Sequence, residues 1–274
     1  MQVSFTKMQG LGNDFIVIDA RHQPFTPSPE LIRRLSHRRT GIGFDQALIL
    51  ESPREPDSTA FYRIINADGG EVEQCGNGAR CIARFLDPDG EGNNLVLESI
   101  GGRVTASVLE DGNVRVNMGE PHFLPRDIPL EADRERDRYC LDLGDKQIQV
   151  GAVSMGNPHA VLRVDDVDTA PVAQLGPVIS GHPQFPQHAN AGFMEIAGKS
   201  TLKLRVYERG VGETLACGTG ACAAAVVARR WGEIDETVDV LLPGGRLQVS
   251  WSGPGQPVWM SGPAAFVFEG TIKL

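Results

Sequence analysis

The sequence predicts an α+β protein built from two similar halves, each with a mostly antiparallel or mixed sheet and one central helix. The main observation is an internal repeat, because residues 70–79 and 212–221 share the pattern G-E-x-x-x-C-G-x-G-A. At the same spacing Arg63 aligns with Arg205. Strand-like and helix-like patterns also recur in one order after a Pro-rich, charged stretch at 121–138. The period is far longer than that of a solenoid, so we expect a duplicated domain with its active site in the cleft between the halves.

The elements of the first half follow from periodicity and from turn and capping residues. Apolar runs and alternation predict strands at residues 3–8, 15–19, 59–66, 94–99, 102–109 and 114–118. The Gly-rich segment at 10–14 predicts the turn between the first two strands. Ser28, followed by a proline and an acid, is a typical N-cap and predicts a helix to about residue 38. A second helix is predicted from 77 to about 86, where an Asp-Pro turn begins.

The second half repeats this order. Strands are predicted at residues 147–154, 160–164, 191–196 and 201–208, and again in the segment that runs to the C-terminus. One helix is predicted near 170–179. The other is Ala-rich and is predicted from Gly218 to about Trp231, directly after the second copy of the repeated pattern.

Composition excludes several classes of function. The chain has 274 residues, 41% of them hydrophobic and 22% charged, which is typical of a globular protein with one large or two modest domains. It has no apolar run of membrane-spanning length and no signal-peptide core, so we expect a cytoplasmic protein without a membrane partner. A net charge of −9 argues against a nucleic-acid surface, but not against a small anionic or zwitterionic substrate. The five cysteines lack zinc-ribbon spacing, so we expect free thiols and no metal site.

The chemistry is predicted to reside in Cys75 and Cys217, the cysteines of the two repeats. Each comes just before a glycine-rich helix start, where unpaired amides and the helix dipole stabilise a thiolate and lower the pKa of the thiol. The amides of the next two residues would also form an anion-binding nest for a carboxylate. Two matched thiols suit one reaction above others, which is to take a proton from one face of a carbon and return one to the opposite face.

No cofactor motif competes with this interpretation. The chain has no P-loop, no HExxH and no full dinucleotide fingerprint. None of its five lysines lies in a motif-like loop, which argues against a pyridoxal Schiff base. We therefore expect neither a cofactor nor a metal, with proton abstraction supported by desolvation and preorganised donors.

Five segments carry a wider resemblance. They are residues 8–15 (MQGLGNDF), 66–70 (NADGG), 75–81 (CGNGARC), 155–160 (MGNPHA) and 208–220 (ERGVGETLACGTG). In these segments, which span almost the whole chain in family order, the sequence resembles the diaminopimelate epimerase family. The C-G-x-G element alone also fits relatives of proline racemase.

The resemblance implies interconversion of LL- and meso-2,6-diaminopimelate without pyridoxal or metal, in lysine and peptidoglycan-precursor biosynthesis. It implies that Cys75 and Cys217 are the thiolate base and the thiol acid, with roles that exchange with the direction of reaction. His159 and Glu208 match positions that tune the thiols. The substrate-binding positions that it implies are Asn13, Gln46, Asn66, Gly76, Asn77, Asn157, Asn190, Glu208, Arg209, Gly218 and Thr219.

The resemblance also implies an architecture. Each lobe is expected to be a curled sheet around its central helix, with the C-terminal strand returning to the first lobe. The predicted lobes are residues 1–117 with 263–274, and residues 118–262. A homodimer is implied, with Phe268 near the dimer contact, and the only other partner expected is the small-molecule substrate.

Other interpretations remain open. A racemase for another amino acid, such as proline, would fit the thiols, but it would leave Arg209 and the set of asparagines without a purpose. A redox or sensing protein could instead join Cys75 and Cys217 in a reversible disulfide. The remaining cysteines have a simpler explanation. Cys81 and Cys222 lie further along their helices and are expected in the core, and Cys140, which has no functional context, is expected to be structural.

Overall fold

The computed structural model describes residues 2–73, 75–91, 94–144 and 146–274. The chain divides into two compact units, which we call unit 1 and unit 2. Unit 1 comprises Met1–Val116 and Ser261–Leu274, and unit 2 comprises Asn117–Met260. The Pro-rich stretch at 121–138 lies inside unit 2, after the point of division.

Unit 1 contains a mixed sheet and two described helices. Its strands are β1 (Gln2–Gly10), β2 (Asn13–Asp19), β3 (Gln46–Glu51), β4 (Ala60–Asn66), β5 (Glu71–Val72), β6 (Leu95–Ser99), β7 (Gly102–Val108) and β8 (Val114–Asn117), whose last residue lies past the division. Its helices are α1 (Pro29–Ser36) and α2 (Gly76–Leu86). Residues 77–83 of α2 are all buried, so this helix is the centre of the unit.

Unit 2 follows the same plan. Its strands are β9 (Tyr139–Asp142), β10 (Gln147–Ser154), β11 (Pro158–Arg163), β12 (Asn190–Gly198), β13 (Thr201–Glu208), β14 (Gly212–Thr214), β15 (Thr237–Leu242), β16 (Gly245–Ser250) and β17 (Trp259–Gly262), whose last two residues lie past the division. Its α-helices are α3 (Val172–Ser180) and the central α4 (Gly218–Arg230), and a short 3-10 helix spans Pro125–Asp127. The last strand, β18 (Ala265–Lys273), pairs antiparallel with β1 and belongs to unit 1.

Strand pairing shows that the two units repeat one topology. The pairs β2–β3 and β4–β6 are parallel in unit 1, and the pairs β11–β12 and β13–β15 are parallel in unit 2. The register repeats too, since Phe15 faces Gln46 in unit 1 and His159 faces Asn190 in unit 2. The predicted α+β class, with a central helix in each of two similar units, is confirmed.

Small side chains let the central helix of unit 2 approach its sheet. Residues 220–228 of α4 are buried, and most of them are alanine or glycine. A Cβ added to Gly151 of β10 would lie 2.4 Å from Cγ1 of Val227, so a larger residue would force the helix away. In unit 1 the core beside α1 includes Ile16, Ile32 and Leu35, which are fully or almost fully buried.

Four strands were absent from the sequence prediction. Two of them, β5 and β14, have only two and three residues, and the longer two are β3 and β9. In β3 residues 47–50 form a continuous apolar run, all of it buried, so the alternation that marks a half-exposed strand does not appear. Strand β9 directly follows the Pro-rich stretch. Helix α1 ends at Ser36, two residues before the predicted end, and α3 begins at Val172 after Pro171. None of the described helices combines the length and the apolar character that a membrane span requires.

Candidate active site

Each of the two repeated cysteines is the N-cap of the helix that follows it. Cys75 precedes α2 and Cys217 precedes α4, both with extended backbone. The sulfur of Cys75 accepts a hydrogen bond from the amide of Gly78 at 3.4 Å, and the sulfur of Cys217 accepts one from Gly220 at 3.4 Å. A serine or aspartate oxygen occupies this position in a usual cap. Both sulfurs therefore lie at the positive end of a helix dipole, as the sequence predicts.

Asn13, at the start of β2, connects Cys75 to a network of hydrogen bonds. Its Oδ1 lies 3.9 Å from the Cys75 sulfur and accepts a bond from Nδ2 of Asn77 at 3.3 Å. Its Nδ2 donates to Oδ2 of Asp45 at 3.0 Å. Because both ends of the Asn13 amide are engaged, its carbonyl is held towards the sulfur.

The orientation of Asn77 is set in turn by Arg80, a fully buried residue of α2. Nη2 of Arg80 donates to Oδ1 of Asn77 at 2.9 Å, and its Nε donates to the carbonyl of Pro263 at 3.3 Å. With its oxygen bound to the guanidinium, the Asn77 amide turns its NH2 group towards Asn13. The segment before β18 thereby supports the same network, through Pro263.

Charged side chains hold the β1–β2 hairpin to the loop after α1. Arg38 donates to both oxygens of Asp14, at 2.8 and 2.9 Å, and to Oδ1 of Asp45 at 2.8 Å. Lys7 donates to Asp14 at 2.6 Å and also to the carbonyl of Gly43. Although partial burial raises the pKa of Asp14, the hydrogen bonds from Arg38 and Lys7 outweigh it and hold that pKa well below its usual range. The Asp14 carboxylate therefore stays ionised.

Gln46 and Asn66 form a separate polar pair in unit 1. They face each other on β3 and β4, and Nε2 of Gln46 donates to Oδ1 of Asn66 at 2.8 Å. Oε1 of Gln46 is buried and accepts no hydrogen bond from any residue that the structure describes. A buried carbonyl oxygen in this state is an acceptor suited to a ligand N–H group.

Cys217 has a different electrostatic environment from a simple helix cap. It is buried, and Glu208 at the end of β13 lies next to its sulfur. Burial first, and then the Glu208 carboxyl, raise the pKa of the Cys217 thiol well above its ordinary value, although Thr219 and the Gly220 amide oppose this. The sequence expectation of a lowered pKa is wrong for this cysteine, because desolvation outweighs the helix dipole.

Glu208 itself is held in place by a hydroxyl. Oγ1 of Thr214 donates to Oε1 of Glu208 at 2.5 Å across the β13–β14 hairpin. Burial raises the pKa of Glu208, and hydrogen bonds to Thr214 and Cys217 lower it in part. Since burial disfavours a second charge at this place, Glu208 and Cys217 are not both deprotonated near neutral pH.

A second network in unit 2 resembles the one around Asn13. Nε2 of His159 and Oδ1 of Asn157 are 2.9 Å apart, and Nδ2 of Asn157 donates to Oγ1 of Thr219 at 3.4 Å. Oδ1 of Asn190 accepts a bond from the backbone amide of Arg209 at 2.9 Å. The exposed guanidinium of Arg209 donates to the carbonyl of residue 187 at 2.8 Å.

Burial of His159 is expected to make the stability of the protein depend on pH. Burial, and then the charge of Arg209, lower the pKa of His159 to about 3, from an ordinary value of 6.5. Below about pH 6.5 the unfolded chain therefore binds a proton that the folded chain excludes, so the free energy of unfolding falls as the pH drops towards 3. We expect His159→Gln to flatten this dependence between about pH 6.5 and pH 4.5, measured by urea denaturation.

Exposed His22 provides the control for this prediction. Its side chain is 79% exposed, so His22→Gln should keep the slope of the wild-type protein. Equal slopes in the His159 and His22 variants would contradict a buried neutral imidazole.

The structure groups the predicted site residues by unit. In unit 1, Cys75, Asn13 and Asn77 form one connected set, whereas Gln46 and Asn66 pair with each other. In unit 2 the connected residues are Asn157, His159, Thr219, Cys217 and Glu208, with Asn190 and Arg209 as a neighbouring pair. Gly76 and Gly218 are the first helical residues after the two caps. Whether these residues bind substrate remains a prediction.

Sequence reasoning missed several residues that support the site. Arg80, Asp45 and Thr214 each hold a predicted residue in place, and none of them was singled out. Arg80 had a readable signal, since it is an arginine inside the short apolar helix that follows the first motif. Asp45 had none, because its contact with Asn13 joins two distant segments of the chain. Thr214 lies in the second motif, six residues after Glu208, but its bond to Glu208 depends on the hairpin between β13 and β14.

The remaining cysteines divide into two kinds. Cys81 and Cys222 are fully buried, which confirms that they belong to the core. Burial raises the pKa of Cys81 to about 12, so it stays protonated. Cys140 is exposed, with its sulfur 3.5 Å from Oε1 of Gln147, and it packs into no core.

Comparison with known proteins identifies the family of the chain. A sequence model of the family described as diaminopimelate epimerase matches residues 5–124 and 151–267. A protein named diaminopimelate epimerase from Thioalkalivibrio sulfidiphilus (strain HL-EbGR7) is 55% identical, with all of both chains covered. One of the same name from Alkalilimnicola ehrlichii is 54% identical, again with full coverage of both.

The fold is also similar to that of a solved structure. A hydroxyproline epimerase from Agrobacterium vitis superposes with a TM-score of 0.71, covering 99% of this chain and 92% of that one. The two sequences are only 14% identical, so the likeness concerns the fold alone. From the family match and from relatives more than half identical over the full length, we conclude that the chain belongs to the diaminopimelate epimerase family, a family of isomerases.

Proposed function

We propose that the protein interconverts LL- and meso-2,6-diaminopimelate through a two-base mechanism that uses the thiols of Cys75 and Cys217. The observation that carries this proposal is the duplicated N-cap. In each unit one cysteine sulfur accepts the amide of the third helical residue at 3.4 Å. A reaction that inverts a carbon centre needs one base and one acid on opposite faces, and two equivalent thiols meet that need.

The proposed steps move two protons and no electrons. One cysteine, as thiolate, takes the α-proton of the substrate and becomes a thiol. The other, as thiol, gives its proton to the opposite face of the same carbon and becomes a thiolate. The backbone amides at the N-termini of α2 and α4 would stabilise the negative charge that builds on the substrate carboxylate when the α-proton leaves. We expect no cofactor in this scheme.

The raised pKa of Cys217 indicates which thiol begins as the acid and which as the base. Burial and Glu208 raise the pKa of its thiol, so Cys217 begins as the acid at neutral pH in this form of the protein. In the direction in which Cys217 donates, Cys75 is the base. After one turnover the proton has moved to Cys75, and the thiols must exchange protons with solvent before the next turnover in the same direction.

The polar residues fit a substrate with a second amino-acid head. The proposed binding set contains amides and one arginine, which can bind an ammonium and a carboxylate by hydrogen bonds. Oε1 of Gln46 is a buried acceptor that no described residue uses, which suits an ammonium N–H group. Proline has no distal head to occupy such groups, so this set favours diaminopimelate.

The test is proton NMR of the reduced protein with LL-diaminopimelate in D2O. Deuterium should enter one α-position as the meso isomer forms, because the proton returned by the acid thiol comes from solvent. Repeating the measurement with L-proline separates the amino-acid racemases. Exchange with proline alone would contradict the assignment of diaminopimelate as the substrate. If a folded and reduced sample exchanged neither diaminopimelate nor proline, the result would favour the redox alternative.

Gly220 provides a test of thiol placement. A Cβ at this position would lie 3.2 Å from the Cys217 sulfur and 3.0 Å from Cγ2 of Val206, so alanine would displace the sulfur. We expect Gly220→Ala to lower kcat by about tenfold to a hundredfold. Alanine favours a helix more than glycine does, so helix propensity does not predict a loss of stability.

Gly192→Ala is the matched control in the same unit. Its added Cβ would meet Leu204 at 3.5 Å, an ordinary contact, with no sulfur nearby. Turnover of this variant should remain close to that of the wild-type protein. If Gly220→Ala also turned over normally, the sulfur position would not limit the reaction.

The homodimer and the cytoplasmic location belong to this proposal as well. Phe268 lies on β18 and is 49% exposed, next to the exposed Phe266 and Val267. An apolar strip of this kind on a strand is an expected contact surface. We therefore propose that β18 contributes to the contact between two copies of the chain.

A further inference from the structure

Each copy of the repeated pattern contains a glutamate for which the proposed mechanism has no use. In unit 1 this is Glu71 of β5, which accepts two hydrogen bonds from Arg63 of β4, at 2.8 Å from Nε and 2.7 Å from Nη2. In unit 2 Glu213 of β14 accepts two from Arg205 of β13, at 2.6 and 3.0 Å from the same two nitrogens. Both pairs are bidentate, which is the strongest and most directional geometry for an arginine and a carboxylate.

The two ion pairs have the same position in their hairpins. Glu71 faces Ile65 across the β4–β5 ladder, and Glu213 faces Tyr207 across the β13–β14 ladder. Arg63 and Arg205 each lie two residues before the residue that faces the glutamate. Each arginine side chain is therefore on the same side of the sheet as the glutamate and diagonal to it. A diagonal neighbour of this kind is within reach of a long side chain.

These pairs anchor the chain four residues before each cysteine. The strands that carry the glutamates are short, with two residues in β5 and three in β14, so few ladder hydrogen bonds hold them. A second tie follows at the same place in both copies. The carbonyl of Glu73 accepts a bond from Oγ of Ser99 at 2.8 Å, and the carbonyl of Leu215 accepts one from the amide of Gly244 at 2.8 Å.

We propose that Arg63–Glu71 and Arg205–Glu213 are positioning pairs that keep each cysteine at its helix N-cap. The inference rests on the proposed function for the roles of the two thiols. The amide of the third helical residue stabilises a thiolate only while the preceding chain holds the sulfur at the N-cap position. Strands β5 and β14 are too short to hold the chain in this position by their ladder hydrogen bonds. The ion pairs provide the restraint instead.

Unit 1 gives the cleaner test. In unit 2 Arg205 also donates through Nη1 to the carbonyls of Val167 and Ala170, at 3.1 and 3.2 Å, so changing it would release a loop as well. The Arg63 and Glu71 side chains are each 29% exposed, and a substitution there disturbs little of the core.

The experiment measures alkylation of both cysteines in one sample. Wild type, Glu71→Gln and Arg63→Gln are treated with iodoacetamide from about pH 6 to about pH 10, and the Cys75 and Cys217 peptides are quantified by mass spectrometry. We expect the pH midpoint for Cys75 to rise by about half a unit or more in both variants, while the extent of Cys217 alkylation at each pH does not change. The double variant R63E/E71R, which restores the pair with reversed charges, should bring the Cys75 midpoint back. We also expect kcat to fall about tenfold in the single variants, with KM changed less than about twofold.

Asp19→Asn is the matched control. Asp19 and Arg21 form another bidentate pair in unit 1, with both distances 2.8 Å and side chains 17% and 24% exposed. Losing that pair should leave the Cys75 profile unchanged. The proposal is overturned if the single variants keep the wild-type Cys75 profile, if the charge swap does not restore it, or if D19N moves it as far.

Alkylation needs no substrate, so this result stands apart from the proposed function. A shifted Cys75 profile in a protein that lacks epimerase activity would overturn the function alone. An unshifted profile in an active epimerase would overturn the positioning pairs alone.

Discussion

Replacing either Cys75 or Cys217 by alanine should lower kcat/KM for epimerisation by about four orders of magnitude or more. The proposed reaction needs a base and an acid in the same turnover, so loss of one thiol stops inversion even when the other remains. For the same reason the double variant should be no less active than the single ones. The measurement is formation of meso-diaminopimelate, with circular dichroism to confirm that each variant is folded.

Cys140→Ala is the control for this prediction. Cys140 is exposed and lies outside the two repeats, so its loss should leave turnover unchanged. Near-normal turnover in either the Cys75 or the Cys217 variant would exclude the two-base mechanism. Equal losses in all three would indicate a general effect on the protein and no specific role for the two N-cap thiols.

Replacing Arg80 by methionine should lower the free energy of unfolding by about 2–4 kcal/mol. Arg80 is fully buried, and its guanidinium donates to Oδ1 of Asn77 and to the carbonyl of Pro263. Methionine occupies a similar length but donates to neither, so buried acceptors lose their partner. The change would be measured by urea denaturation.

The control is Arg84→Met, the same substitution one turn further along α2. Arg84 is only partly buried, at the end of the helix, so the expected loss is below about 1 kcal/mol. If both variants lost equal stability, the cost would come from the helix and not from the buried network. Arg80→Lys should show an intermediate loss, since an ammonium can donate but cannot reproduce the planar fork.

The sequence predicted most of the elements because their signals are local. The helix caps at Ser28 and at the two repeated cysteines were readable from residue type and spacing, and each is a cap in the structure. Strand β3 was not readable, because a strand buried on both faces loses its alternation. Its place in the sheet, parallel to β2 and antiparallel to β4, comes from long-range pairing.

In the candidate site, too, some features could be predicted from the sequence and others could not. The repeat pointed to Cys75 and Cys217, and the family resemblance supplied most of the polar residues that are predicted around them. The sequence did not identify Asp45, because the partner of this residue, Asn13, lies in a distant segment. It also missed Arg80, although an arginine inside an apolar helix is a local signal; only the bond of Arg80 to Pro263 depends on a distant segment. It also predicted the wrong direction for the pKa of Cys217, because the helix dipole is visible in the sequence whereas burial is not.

By itself, then, the sequence determined the duplication, the two N-cap cysteines and the membership of a family, all of which depend on residue type and spacing. Only the tertiary structure decided which side chains hold the cysteines in place. The Arg63–Glu71 and Arg205–Glu213 pairs depend on strand register, and the state of Cys217 depends on how deeply it lies beside Glu208. Register and burial arise from packing between distant segments, and electrostatic energies depend strongly on both.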